Sequence, residues 1–135
     1  MSYKYLYYNF NPNTDFKIIN QTTITPEQYM GSENLTVDVF DTLTFNKVGI
    51  LYINVIYNKL SANHPILLNV DSSISLDDGV ISYKNYIYSN TLSFPPGKLF
   101  TTVLNGNENY YNIIGNPIVI DVDNNSSYRF ITIKL

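Results

Sequence analysis

Three features of the 135-residue sequence predict an all-β fold, an antiparallel up-and-down barrel of about eight strands. Apolar and polar residues alternate with period two, turn signals recur at near-regular intervals, and no long stretch keeps helical periodicity. Nearly every connection is hairpin-short. That builds a meander, and a meander of about eight strands closes on itself and removes its own edges. A β-sandwich or jelly roll is the alternative that the same strand count allows.

Tyr3 to Phe10 forms the first predicted strand, with Tyr3, Tyr5 and Tyr7 on one face and Leu6, Tyr8 and Phe10 on the other. Asn11, Pro12 and Asn13 stop it. From there to Ser32 the pattern is irregular, apart from an apolar patch at Phe16 to Ile19 and a helical turn that Thr25-Pro26-Glu27 would open. A connection of this length is a candidate lid.

The densest signal runs from Leu35 to Asn58 and reads as a hairpin turning at Asn46 and Lys47. Leu35, Val37 and Val39 alternate with Thr36 and Asp38. The returning arm is apolar on both faces: Val48, Ile50, Tyr52 and Ile56 on one, Leu51, Ile53, Val55 and Tyr57 on the other. A strand apolar on both sides must be covered on both sides. One face fills the barrel, and the other needs a helix, the long loop or another subunit.

Ile66 to Leu76 and Val80 to Tyr88 follow as strands around the tight turn Asp77-Asp78-Gly79. Pro95-Pro96-Gly97 punctuates before Lys98 to Leu104, and Asn105 to Pro117 is too rich in Asn and Gly for either period. Two last strands, around Ile118 to Val122 and Phe130 to Leu135, flank a polar turn.

Composition narrows the function classes. The length fits one domain, residues 1–135, able to bury a core without staples. With no cysteine there is neither a disulfide framework nor a thiolate site. The net charge is −3 and the basic residues are scattered, which argues against nucleic acid as a partner. The N-terminus lacks the regions of a secretory signal and no run suits a membrane helix, so a cytoplasmic or virion location is expected. Four N-x-Ser/Thr triplets, at Asn20, Asn34, Asn124 and Asn125, carry little meaning without a secretory route. Abundant Asn (19), Ile (16) and Tyr (13) with no Trp match the codons of an AT-rich genome, such as that of a protist, some bacteria or a large DNA virus.

Chemistry-bearing residues are sparse. His64, the one histidine, sits beside Pro65 in a polar turn, and Asp121 to Asn125 lacks the Gly and closing Glu of a calcium loop, so no metal site or cofactor is expected. Asp71, Asp77 and Asp78 read as turn and strand residues. Arg129 shares a face with Ile131 and Ile133. A surface position suits it, but inside the barrel it would need an anionic partner, for which Asp41 is the first choice.

The order of elements resembles the allene oxide cyclase and dirigent protein barrels. The resemblance rests on the Tyr-rich first strand and long loop, Val39-Phe40-Asp41 for a V-x-D-like motif, Val48-Gly49-Ile50-Leu51-Tyr52 for a Gly-containing strand, and Asn105 to Gly115 for a late glycine- and tyrosine-containing segment. It implies a barrel that binds or isomerises a small apolar ligand. The aspartate that dirigent proteins carry at the end of the first strand corresponds to Asn9, which cannot act as acid or base, and no carboxylate lies between Met1 and Phe10 for the cyclase glutamate. Asp41 is the ionisable residue that matches.

The leading expectation is therefore a non-catalytic, homo-oligomeric barrel serving as a structural or interaction module, as in a virus particle. A small-ligand barrel with Tyr7, Asn9, Asp41 and Arg129 near its mouth is the first alternative, and a carbohydrate-binding module using exposed Tyr and Asn is the second.

Overall fold

Alternation in the sequence becomes alternation between the inside and the outside of a cylinder. The computed structural model describes residues 2–10, 16–22, 30–59, 63–90, 95–123 and 127–135. Among them lie β1 (Tyr3–Asn9), β2 (Phe16–Thr22), β3 (Met30–Asp41), β4 (Lys47–Asn58), β5 (Ile66–Leu76), β6 (Gly79–Ser89), β7 (Gly97–Gly106), β8 (Pro117–Val122) and β9 (Tyr128–Lys134). One 3₁₀ helix, Glu108–Ile113, joins β7 to β8. The strands pair in the order β1-β9-β8-β7-β6-β5-β4-β3-β2, and a further antiparallel pairing of β1 with β3 closes the cylinder. The fold is the closed eight-stave antiparallel barrel, not the sandwich.

Closure is brief. Only Leu6↔Asp41 and Tyr7↔Phe40 are paired between β1 and β3, after which β1 stays with β9 and β2 takes over the same edge of β3, from Phe16↔Val37 to Thr22↔Ser32. This corrects the expectation for residues 16–22. The patch at Phe16 to Ile19 belongs to a strand, because the long edge of β3 needs backbone partners where β1 has left it. The predicted breaker Asn11-Pro12-Asn13 and the turn at Thr25-Pro26-Glu27 lie outside the described residues.

Every second residue faces inward. Leu6, Val37, Val39, Leu51, Leu68, Ile74, Ile81, Ile118, Ile131 and Ile133 are buried almost completely and form one contiguous core. Burying each such side chain is worth about 1.5–3 kcal/mol. On β4 the inward Leu51, Ile53, Val55 and Tyr57 are buried, whereas the outward Tyr52 and Ile56 are exposed. The second apolar face of β4 is thus covered only in part, with Val48 and Ile50 half-buried and Tyr52 and Ile56 open.

The irregular segment after β7 closes one end of the barrel. Asn107 bonds the β6 backbone twice, its Oδ1 accepting from Val80 N at 2.7 Å and its N–H donating to Val80 O at 3.2 Å. Tyr110 and Ile113 are buried in the core. The phenol of Tyr110 donates to Asp78 Oδ1 at 2.5 Å, while Lys4 of β1 holds its ammonium 5.7 Å from the same ring. The β5–β6 turn and β1 lie on opposite sides of the ring of staves, so Tyr110 spans the mouth between them. Gly79 permits this approach: its φ is +146°, and a Cβ there would stand 2.6 Å from Asn107 O.

Candidate functional site

Odd-numbered residues of β1 face outward and meet even-numbered residues of β9 and Phe40 of β3. The result is an aromatic surface centred on Tyr7. Its ring stacks on Phe40 at 5.3 Å, and Phe45, Tyr128 and Phe130 surround it at 6.3, 6.0 and 6.2 Å. Tyr3 and Tyr5 extend the surface along β1. Phe45 is 71% and Leu43 80% exposed, both at the tip of the β3–β4 turn. From the 150–250 Å² that a buried aromatic ring covers, the exposed parts of these side chains amount to roughly 600 Å² of apolar surface.

Phe45 holds its place at a cost. Its φ is +61°, a left-handed conformation that bulky residues rarely adopt. The turn itself is well built: Asp41 Oδ1 accepts from Leu43 N at 2.7 Å and Thr44 N at 3.1 Å, and Thr42 N donates to Tyr5 O at 3.1 Å, tying the turn to β1. Asn or Gly at position 45 would satisfy the backbone more cheaply.

Inside, polarity rises away from the end that Tyr110 covers. Tyr8 of β1 and Tyr83 of β6 come from opposite staves and lie close enough to interact electrostatically. Burial pushes both phenols to higher pKa; the Arg129 guanidinium, paired across from Tyr8, partly offsets this for Tyr8, and a hydrogen bond with Ser72 does so for Tyr83. Beyond them Asn85 and Ser89 line the inner face of β6. Tyr57 is pushed up to about 12, by burial first and then by the charge of Glu33.

The structure does not bring the four expected ligand residues into one constellation. Tyr7 points outward into the aromatic surface. Asn9 accepts a hydrogen bond from Ser127 Oγ. Asp41 serves the turn amides beside Leu6. Arg129 lies across from Tyr8 on the inner face and is half-buried, with its guanidinium 5.6 Å from the Phe10 ring and Nη1 donating to Tyr128 O. The surface position for Arg129 is therefore corrected: strand parity keeps it with Ile131 and Ile133, as their shared face implied. His64 is exposed in its turn, and Asp71 pairs with Lys84 at 3.5 Å on the outer wall.

Sequence reading missed Tyr110, whose segment has no period, and the inner polar set. Asn85 was within reach, because it occupies the same parity as Ile81, Tyr83 and Ile87. Glu33 and Tyr57 required the register of β3 on β4. Among the described residues no helix is long and apolar enough to cross a membrane.

Fold and surfaces together define a closed antiparallel barrel with an aromatic outer face. No family model and no curated protein sequence matches the chain. Among solved structures it is similar to pyocyanin demethylase, with a TM-score of 0.65 over 98% of each chain and 12% sequence identity. At that identity the likeness shows the fold alone.

Proposed function

We propose that this barrel is a non-catalytic interaction module that associates with further copies of itself through the aromatic surface around Tyr7, as a structural component of a larger assembly such as a virus particle. The supporting observation is Phe45. A bulky ring is kept in a left-handed conformation with most of its surface in water, which is unfavourable for an isolated protomer on both counts. A second copy would remove the exposure. The roughly 600 Å² of apolar surface approaches the ~800 Å² per partner of a standard interface before any polar rim is added. Light scattering tests this: a solution mass that is a multiple of 15.5 kDa is expected, and a monomer at high concentration overturns the reading.

A second reading is favoured by the inner face. Arg129, Tyr8, Tyr83 and Asn85 supply a guanidinium, phenols and an amide beside apolar walls, the lining that suits a small aromatic or apolar ligand with one polar group. The resemblance to allene oxide cyclase and dirigent barrels points the same way, and pyocyanin demethylase is by name an enzyme that acts on a small molecule. Titration of aromatic carboxylates, followed by Tyr and Arg side-chain NMR shifts, supports this reading if Arg129 and Tyr8 move together and removes it if neither moves.

A further inference from the structure

On the wall away from the aromatic surface, the outward residues of β3 to β7 form an open groove of about 650 Å³, within the range of small-ligand sites. Its lining is ordered by strand register. One row runs Asn34, Asn54 and Asp71 across β3 to β5, and Lys84 of β6 stands just outside the lining as the next register partner of Asp71; the other row runs Tyr52, Ser73, Ser82 and Asn105 across β4 to β7. Four inter-strand steps make it about 19 Å long.

We infer that this groove binds a neutral oligosaccharide. Three properties carry the inference. First, Tyr52 and Leu104 are exposed at opposite ends of the second row, apolar platforms on which the C–H faces of pyranose rings can lie. Second, between them stand the hydroxyls of Ser73 and Ser82, 3.1 Å apart, flanked by the amides of Asn34, Asn54 and Asn105. Each amide offers both donors and acceptors, and each hydroxyl can do either, which matches a ligand whose hydroxyls do both. Third, Asp71, the one charged residue of the lining, is paired at 3.5 Å with Lys84 beside the groove. An anionic ligand would find no unopposed cation there.

One row further on, Asn69 Oδ1 is buried with no hydrogen-bond donor in the structure, between Ile56 and Tyr86. The length of the groove suits several sugar rings rather than one.

The test uses the intact chain with cellotetraose, mannotetraose and chitotetraose as neutral probes and a sulfated heparin tetrasaccharide as an anionic one, observed by saturation-transfer NMR and then by calorimetry. We expect at least one neutral probe to bind, Tyr52→Ala to weaken it about tenfold, and Tyr52→Phe to keep most of the affinity. Ser82→Val, on the same outer face, should weaken binding with the thermal transition retained, which separates a lost contact from a lost fold. The inference is overturned if no neutral probe transfers saturation, if the heparin probe alone binds, or if binding survives both Tyr52→Ala and Ser82→Val. Substitutions in the aromatic surface around Tyr7 should leave sugar binding unchanged, so failure of self-association and failure of this site are read independently.

Discussion

Tyr7 stacks on Phe40 with ring centroids 5.3 Å apart and planes inclined by 20°, at one of the two residue pairs through which β1 meets β3. The contact that seals the barrel is also the centre of its aromatic surface. Closure and the proposed self-association therefore depend on the same side chain.

Tyr7→Ala removes a half-buried ring and its contacts with Phe40, Phe45, Tyr128 and Phe130. We expect a loss of about 2 kcal/mol in unfolding free energy by urea titration. Tyr7→Phe, which keeps the ring, should lose well under half of that.

Phe45→Gly separates stability from association. Relief of the left-handed backbone stabilises the single protomer by about 1 kcal/mol, seen as a higher thermal midpoint at high dilution. The same change removes an exposed ring from the proposed interface, so the concentration dependence of the midpoint should shrink.

Acid stability depends on the far end of the barrel. The hydrogen bond from Tyr110, with a lesser part from Lys4, holds the Asp78 carboxyl below the usual aspartate range. A carboxylate depressed in the fold contributes stability above its unfolded value, and that contribution is lost as pH falls through the folded value. Tyr110→Phe should therefore lower the thermal midpoint at neutral pH. Its deficit against the parent should narrow as pH drops below the ordinary aspartate value of about 3.9.

Alkali addresses the interior phenols. Tyr8, Tyr83 and Tyr110 are raised chiefly by burial, and Tyr57 to about 12. Groups raised in the fold stabilise it fully below the unfolded value and lose that effect as pH climbs through the folded one. A phenolate absorbance titration should show a late component under native conditions that vanishes in denaturant, with stability declining above pH ~10.

Most of the fold was legible because its determinants are local. Alternation at Leu35, Val37 and Val39 and the Asp77-Asp78-Gly79 turn each act within a few residues, and both are realised. β2 was not legible: Phe16 to Thr22 is a strand because β3 offers it an edge, and the length of β3 and the departure of β1 are properties of the closed cylinder. The candidate sites suffered from the same limit. Parity placed Tyr7 and Arg129 on opposite faces of the wall, yet grouping them by nearness to a strand end ignored which face each shared. The aromatic surface needed the β1–β9 register to bring Tyr7 to Phe130, across more than a hundred residues of sequence.

Sedimentation equilibrium of the parent chain beside the Phe45→Asp/Phe130→Asp double variant measures the central relationship most directly. We expect the parent to sediment as a concentration-dependent oligomer and the variant, still folded by circular dichroism, as a 15.5 kDa protomer. A parent that stays monomeric across the concentration range, or a variant that assembles as well as the parent, would contradict it.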